Sequence, residues 1–272
     1  MSDTGSDKTF TGSIPEIYDT LLVPLIFEPY AADLARRLAG RPMRRVLEIA
    51  AGTGVLTRAM ARALAPDVNI VATDLNPQMI DRARAVGTAR NVDWRPADAM
   101  NLPFADGSFD AVLCQFGAMF FPDKQNAFSE ARRVLCEGGS LLFNVWDRIE
   151  ENEFADVVTT SLQTLFPEDP PRFMRRTPHG YFDTGAIRRD LAGAGFTRTA
   201  DIVTLAARSR ADSPRVPAIA YCQGTPLQNE IIARGPSRLG EATDIVAEAI
   251  ARRFGRGAVD AKIQAHVIVV ES

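Results

Sequence analysis

Short β-branched runs alternate with amphipathic stretches between Arg44 and Trp146. This alternation is typical of βαβ units that build a parallel sheet. We therefore predict an α/β fold with a doubly wound, Rossmann-like sheet and right-handed connections. The predicted strands are "RRVLEI", "NIVATD", "NVDWRP", "FDAVLCQ" and "SLLFNVW", and the predicted helices are "GVLTRAMARALA", "NPQMIDRARAV" and "DKQNAFSEARRVLCEGG", the last ending at Gly138 and Gly139.

Longer elements follow in the second half of the chain. Helices are predicted over "NEFADVVTTSLQTLF", over "DTGAIRRDLAGAGF" with Asp183 as the N-cap, and over "LGEATDIVAEAIARRFG". The segments "ADIVTLAARS" and "KIQAHVIVVE" are predicted strands.

Two segments interrupt the alternation and set the predicted domain organisation. Residues 1–43 are predicted to form an N-terminal helical leader or cap, and residues 44–272 the main domain. Within that domain, residues 147–183 join a helical piece to the proline-rich, basic "PEDPPRFMRRTPHGYFD". A long insertion after a sheet strand is more often a binding loop than a structural necessity, so we predict a lid-like insertion here.

Composition and charge exclude several classes of protein. The 272 residues include 31 Lys and Arg against 34 Asp and Glu, a net charge of −3, so we expect no nucleic-acid partner. Cys114, Cys136 and Cys222 lack CxxC spacing, which argues against a disulfide framework or a zinc cluster. The amino terminus is polar and acidic, and no apolar run reaches about 18 residues, so we predict no transmembrane segment and a cytoplasmic location.

The sequence "VLEIAAGTGVL" places two glycines directly after the first predicted strand. Ligands of doubly wound sheets bind beyond the carboxyl ends of the strands. Gly52 and Gly54 allow a sharp turn and a close approach of the backbone to a ligand, although a βα turn without a ligand also uses glycine. Asp74 ends the next strand, where a carboxylate can accept hydrogen bonds from both hydroxyls of a ribose. A ligand that contains a ribose is therefore indicated.

Two features disfavour a dinucleotide in this turn. Thr57 stands where the third glycine of GxGxxG would be, and Glu48 places a negative charge close to where a pyrophosphate would lie. The turn therefore suits a cationic ligand better than an anion.

Four segments occur in order between residues 44 and 147: "VLEIAAGTG", "VATDLNPQMI", "ADAMNLPFADGSFDAVLCQFGAMFF" and "EARRVLCEGGSLLFNVWD". Together they resemble the successive motifs of the class I S-adenosylmethionine-dependent methyltransferases, and within them the group that includes the ubiquinone/menaquinone biosynthesis C-methyltransferases. The resemblance implies S-adenosylmethionine as the cofactor. It also implies a seven-stranded sheet whose last strand, "KIQAHVIVVE", is antiparallel to the others.

The resemblance further implies which residues hold the cofactor. Residues at the exit of the first strand would hold the methionine moiety: Ala50, Gly52, Thr53 and Gly54 through the backbone, and Glu48 near the ammonium group. Asp74 would bind both ribose hydroxyls. The other implied contacts are Leu75 and Met79 with adenine, Asp98 with the adenine amino group, the N–H of Ala99 with a ring nitrogen, and Gln115 and Phe116 with the methionine portion and the methyl group.

Plainer roles remain open for several of these residues. Asp74 could cap the helix of "NPQMI", although Asn76 is the better cap, and Asp98 could be a turn residue. Core packing alone would explain Met79 or Phe116.

Two residues outside the motifs are candidates for catalysis, and no metal is predicted. His179, in "TPHGYFD", could act as a general base or could stabilise the turn before the next helix. Tyr18 could close over the cofactor or donate a hydrogen bond to the substrate, or it could fix the leader to the core. His266, in the last predicted strand, is expected to be structural.

The sequence thus predicts a methyltransferase that acts on O or C of a small molecule. The segments "IFEPY", "FGAMFF" and "RFM" predict a pocket for a lipophilic or aromatic acceptor. Arg172, Arg175 and Arg176 could grip an anionic group on the acceptor or form a solvated basic loop. The alternatives are a non-catalytic protein that binds an adenosyl ligand and, with less support, a NAD-dependent oxidoreductase. A homodimer is left open.

Overall fold

The computed structural model describes residues 6–272 and contains a seven-stranded sheet. Its strands are β1 (Arg45–Glu48), β2 (Asn69–Asp74), β3 (Asp93–Pro96), β4 (Phe109–Gln115), β5 (Leu135–Trp146), β6 (Asp201–Ala211) and β7 (Val259–Glu271). Their order across the sheet is β3-β2-β1-β4-β5-β7-β6. Strands β1 to β5 pair in parallel, and β7 is antiparallel to them, so the predicted doubly wound sheet with an antiparallel last strand is confirmed.

Eleven α-helices are described between residues 14 and 254. They are α1 (Ile14–Ile17), α2 (Glu28–Leu38), α3 (Val55–Ala63), α4 (Pro77–Val86), α5 (Lys124–Val134), α6 (Glu153–Leu165), α7 (Phe173–Arg176), α8 (Thr184–Gly193), α9 (Arg215–Gln223), α10 (Leu227–Ala233) and α11 (Arg238–Phe254). A π-helical segment, Tyr18–Phe27, joins α1 to α2 and contains Pro24. Short 3₁₀ turns lie at Ser6–Lys8, Ala118–Phe120 and Ile149–Glu151.

The chain divides into two compact units. Unit 1 comprises Met1–Phe27, Trp146–Gly180 and Ala206–Gln264. Unit 2 comprises Glu28–Val145, Tyr181–Leu205 and Ala265–Ser272. The leader of residues 1–43 and the lid-like insertion of residues 147–183 stay proposals.

The core of unit 2 follows from the apolar faces of its helices and strands. Leu34 and Leu38 of α2 and Leu56 and Met60 of α3 are fully buried, and they pack with strand residues such as Val46. Burial of one such side chain stabilises the fold by about 1.5–3 kcal/mol. This packing holds β1 in place and thereby positions the turn that follows it.

The end of α5 differs from the prediction. The helix ends at Val134 rather than at Gly138 and Gly139, and β5 begins directly at Leu135. In the pairing with β4, Phe109 is opposite Leu135 but Ala111 is opposite Ser140, so the register shifts at the two glycines. Gly138 has φ +75°, as expected for a β-bulge. A Cβ atom at Gly139 would lie 2.9 Å from the carbonyl oxygen of Cys136, so the bulge itself requires the glycine.

The predicted helix caps have the expected geometry. The side chain of Asn76 accepts a hydrogen bond from Gln78 N–H at 2.9 Å and caps α4. Asp183 Oδ1 accepts from Gly185 N–H at 2.7 Å and caps α8.

Three further observations bear on partners and cofactors. None of the helices between residues 6 and 272 is long and apolar enough to cross a membrane. Cys114, Cys136 and Cys222 are free thiols. In the described part of the chain, no group of three or more His, Cys, Asp or Glu side chains could hold a metal ion.

Candidate functional site

The turn after β1 is tied to both neighbouring strands. Ile49 N–H donates to Leu113 O in β4 at 2.8 Å, and Ala51 N–H donates to Thr73 O in β2 at 2.9 Å. Because the carboxyl ends of parallel strands lie at the same edge of a sheet, the turn is held at that edge.

Three residues of this turn have a left-handed backbone conformation. Their φ angles are 54° at Ala50, 56° at Gly52 and 84° at Gly54. Such a conformation is unfavourable for a residue with a side chain, and Ala50 therefore stores strain at the site. A Cβ atom at Gly54, the N-cap of α3, would lie 2.7 Å from the Cη2 atom of Trp94, so packing also requires glycine there.

Asp74 joins this turn to the end of β2. Its side chain is 9% exposed; Oδ2 accepts the N–H of Gly52 and Oδ1 accepts the N–H of Asn76, both at 2.8 Å. Burial raises the pKa of Asp74, and the two N–H donors oppose that rise. A carboxylate can accept about four hydrogen bonds. Each oxygen of Asp74 can therefore accept one more, from a ligand hydroxyl.

Glu48 is buried directly below the turn and has a partner that sequence reasoning missed. Thr57, at the position of the third glycine, donates its hydroxyl to Glu48 Oε2. Burial raises the pKa of Glu48 to about 8, while the Thr57 hydroxyl and nearby Arg58 oppose the rise. A ligand cation next to this carboxylate would lower its pKa. The motif alone gives no signal of this contact, because it joins a strand residue to a helix residue nine positions later in the chain.

Thr53 provides a test of whether the turn fits a polar ligand. Its side chain is 1% exposed, and Oγ1 has no hydrogen-bond partner among residues 6–272. A buried hydroxyl without a partner costs about 1–3 kcal/mol. A ligand with an acceptor atom would satisfy it, so the donor set of the turn fits an amino-acid moiety.

The residues expected to contact adenine differ in their exposure. Leu75 is 56% exposed, which leaves an apolar surface that a ligand ring could cover, whereas Met79 is buried, with 4% of its surface exposed. Ala97 N–H donates to Asp74 O at 3.1 Å and brings Asp98 and the buried Ala99 to the same edge.

Asp98 also has the role of a turn residue. Its Oδ1 accepts from Met100 N–H at 2.9 Å, and Asn101 N–H donates to its carbonyl oxygen at 3.0 Å. The turn role and the expected contact with adenine are compatible, because Oδ2 is not used by the Met100 contact.

The exit of β4 packs against the exit of β1. A Cβ atom at Gly117 would lie 2.5 Å from the Cβ atom of Ala50, so the two turns touch at this glycine. Phe116 has φ 50° and meets the ring of Tyr30 edge to face, with 5.3 Å between the centroids. Unit 2 therefore brings Gln115 and Phe116 together with the β1 turn and Asp74.

The two candidate catalytic residues belong to unit 1, where a row of rings connects them. Ring centroids are 5.1 Å apart for Tyr18 and Phe27, 6.0 Å for Phe27 and Trp146, and 6.1 Å for Trp146 and His179. We call these four residues the aromatic row. Trp146 is the last residue of β5.

His179 is a neutral imidazole with one defined hydrogen bond. It is 5% exposed, and Nδ1 lies 2.9 Å from the carbonyl oxygen of Asp147. A carbonyl only accepts, so Nδ1 carries the hydrogen and Nε2 keeps a lone pair. Burial lowers the pKa of His179 to about 4, which makes it a proton acceptor of low basicity at neutral pH.

The remaining candidates have partners within the protein. Arg175 pairs with Glu150 at 2.6 Å, and Arg176 pairs with Asp7 and with Glu230, so these guanidinium groups are neutralised by the chain's own carboxylates. His266 lies 2.9 Å from the hydroxyl of Thr204 on the neighbouring strand, in keeping with a structural role.

Comparison with known proteins adds to this geometry. A family model described as a methyltransferase domain matches residues 47–143. The chain is 32% identical over 185 residues to the demethylmenaquinone methyltransferase of Thermus thermophilus, covering 64% of this chain and 82% of that protein. It is 33% identical over 171 residues to the ubiquinone/menaquinone biosynthesis C-methyltransferase of Ectopseudomonas mendocina, covering 58% of this chain and 67% of that protein.

Solved structures share the fold at low sequence identity. The YcgJ protein of Bacillus subtilis superposes with a TM-score of 0.56 at 18% identity, covering 90% of this chain and 98% of that one. A SAM-dependent methyltransferase of Thermotoga maritima gives a TM-score of 0.53 at 17% identity, covering 94% and 95%.

The chain belongs to the class I S-adenosylmethionine-dependent methyltransferases. S-adenosylmethionine is its cofactor, which confirms that expectation.

Proposed function

We propose that the protein transfers the methyl group of S-adenosylmethionine to an oxygen or carbon atom of a small lipophilic or aromatic molecule. The aromatic row of Tyr18, Phe27, Trp146 and His179 is the observation that carries this proposal. Flat, apolar rings favour contact with another ring or an apolar chain. The Ectopseudomonas relative is named a ubiquinone/menaquinone biosynthesis C-methyltransferase and the Thermus relative a demethylmenaquinone methyltransferase, and these names support a quinone-like ring in the acceptor.

The proposed cofactor contacts are those that the β1 turn and its neighbours can provide. Backbone around Ala50, Gly52, Thr53 and Gly54 holds the methionine moiety, and the buried carboxyl of Glu48 faces the ammonium group. Asp74 accepts from the ribose hydroxyls. On the adenine side the proposed contacts are Leu75, Met79, Asp98 and Ala99, and on the methyl side they are Gln115 and Phe116.

The bound cofactor supplies an electrophilic methyl group on a positively charged sulfur. The protein's own contribution is alignment and a dry environment, because a charge disappears as the carbon–sulfur bond breaks and the bond to the acceptor forms. Alignment of the methyl group with the acceptor atom can by itself lower the activation barrier by about 7 kcal/mol. Little dedicated acid–base chemistry is therefore required.

His179 and Tyr18 are proposed to serve an acceptor that must lose a proton. Nε2 of His179 would take the proton from an acceptor hydroxyl or carbon, since Nδ1 already donates to Asp147 O. Tyr18 would hold the acceptor through its ring or its hydroxyl.

Transfer of labelled methyl groups to a panel of phenols, quinols and fatty acids tests the proposal. Transfer to a phenol or quinol, with a raised KM in Phe27→Ala and Trp146→Ala, would support the aromatic row as the acceptor site. An absence of transfer to every acceptor, despite tight binding of S-adenosylhomocysteine, would favour a non-catalytic adenosyl-binding protein instead.

A further inference from the structure

Asn144 lies near the carboxyl end of β5, and its side-chain amide is fully buried. It is the register partner of Gln115 in β4. Its Oδ1 accepts the N–H of Phe116 at 2.9 Å, and its carbonyl oxygen lies 3.2 Å from the same N–H. The side chain therefore supports the one residue of the β4 exit that has a left-handed backbone and a side chain.

The other end of the same amide is unsatisfied. Nδ2 of Asn144 is buried and has no hydrogen-bond partner among the residues that the structure describes. The orientation of the amide is fixed, because exchanging Oδ1 and Nδ2 would bring two donors together at Phe116 N–H. The two N–H groups therefore point away from Phe116 N–H and require an acceptor.

A buried amide without a hydrogen-bond partner is unfavourable unless a ligand provides the missing acceptor. Burial of such a group without a partner costs about 1–3 kcal/mol, and a donor-only group in need of an acceptor matches a carboxylate. Within the cofactor, the carboxylate belongs to the methionine moiety, the part expected next to Gln115 and Phe116. The position and the chemistry therefore agree.

We propose that Asn144 is a positioning residue of the cofactor site, whose Oδ1 holds the main chain of Phe116 and whose Nδ2 donates to the carboxylate of the bound methionine moiety. Asn144 lies within the fourth motif, "EARRVLCEGGSLLFNVWD", but it is not one of the predicted cofactor-site residues. The inference depends on the cofactor of the family and not on the proposed acceptor, so a failure to find an acceptor leaves its test intact.

Two substitutions separate the two ends of the amide. Asn144→Leu removes both the acceptor and the donors. Asn144→Asp keeps an oxygen for Phe116 N–H and replaces the NH2 group with a second oxygen, which donates only when the carboxyl is protonated. The carbonyl oxygen of residue 144 stays available to Phe116 N–H in both variants, so both are expected to fold. Ser209→Ala is the matched control, because Ser209 Oγ is also buried without a partner in the described chain and lies in β6.

The measurement is the affinity of each variant for S-adenosylhomocysteine and for 5′-methylthioadenosine, which lacks the amino-acid moiety. We expect the Kd for S-adenosylhomocysteine to rise about tenfold or more in both Asn144 variants, because a hydrogen bond to a charged group is lost. The Kd for 5′-methylthioadenosine should change less than threefold, and Ser209→Ala should resemble the wild type with both ligands.

Thermal unfolding provides a second readout that a purely structural role would not give. Without ligand, Asn144→Leu should unfold within a few degrees of the wild type, and it should lose most of the stabilisation that S-adenosylhomocysteine gives. Unchanged affinity for S-adenosylhomocysteine in Asn144→Asp, or an equal loss for both ligands, would overturn the proposal.

Discussion

Asp74 Oδ2 accepts the main-chain N–H of Gly52 at 2.8 Å, which links the end of β2 to the glycine turn after β1. This contact fixes the turn. The remaining acceptor positions of the Asp74 carboxylate are available to the ribose hydroxyls that we propose it binds.

Replacement of Asp74 tests its proposed contact with the cofactor. Asp74→Ala should weaken binding of S-adenosylhomocysteine by about 1.5–3 kcal/mol, because charge-assisted hydrogen bonds are lost, and titration calorimetry measures this change. Asp81→Ala is the control, since Asp81 is 73% exposed on α4 and should leave affinity unchanged. Equal affinities of Asp74→Ala and the wild type for S-adenosylhomocysteine would show that Asp74 does not contact the cofactor.

Glu48 should make the ligand-free protein less stable as the pH rises. Its folded-state pKa of about 8 lies above the ordinary value of 4.5, so the folded protein binds more protons than the unfolded chain between these two values. The stability contributed by protonated Glu48 is complete below about pH 4.5 and is lost as the pH rises through about 8. The slope is at most about 1.4 kcal/mol per pH unit.

Urea unfolding of the wild type and Glu48→Gln at pH 5, 7 and 9 measures this effect. The free energy of unfolding of the wild type should fall relative to that of Glu48→Gln across this range. Parallel pH profiles for the two proteins would show that Glu48 titrates normally in the folded state.

Binding of the cofactor should release a proton from Glu48 near neutral pH. The carboxyl is mostly protonated below about pH 8, and the ligand ammonium favours the charged form. Affinity should therefore increase from pH 6 to pH 8, and the calorimetric heat should depend on the ionisation enthalpy of the buffer. The same heat in all buffers would place the ammonium group away from Glu48.

Thr57→Val should raise the pKa of Glu48 further, since the Thr57 hydroxyl stabilises the carboxylate. The variant should lose about 1–3 kcal/mol of stability, because a buried oxygen loses its donor. The pH dependence of S-adenosylhomocysteine affinity should shift to higher pH than in the wild type. An unshifted profile would mean that Thr57 acts only in packing.

His179→Ala should lower turnover without changing the affinity for S-adenosylhomocysteine. Because burial holds the pKa of His179 at about 4, its titration should not appear in the kcat/KM profile between pH 5.5 and 9. His266→Gln serves as the control and should keep the wild-type profile. Full activity of His179→Ala would show that His179 is not the general base and that its contact with Asp147 is structural.

The sequence predicted correctly those helices and strands in which apolar residues recur at regular helical or strand spacing. The ends of β2 and β4 coincide with the predicted runs, and the caps at Asn76 and Asp183 occur where side-chain chemistry requires them. The end of α5 was mispredicted because adjacent glycines suit a β-bulge as well as a helix terminus. No element was predicted for α9 and α10, which begin after Pro214 and Pro226.

Several contacts at the site could not be read from the sequence. Thr57 was interpreted as a missing glycine, and only the fold shows that its hydroxyl meets Glu48. Asn144 is part of a continuous apolar run, and its contact with Phe116 depends on the register between β5 and β4. Contacts between strands depend on register, whereas motifs report only residues that are close in the chain.

A crystal structure of the complex with S-adenosylhomocysteine tests the central claim most directly. The account predicts both ribose hydroxyls within about 2.6–3.2 Å of the Asp74 carboxylate, with the methionine moiety against the backbone of Gly52 and Gly54. Density for the ligand elsewhere on the protein, with the glycine turn empty, would contradict it.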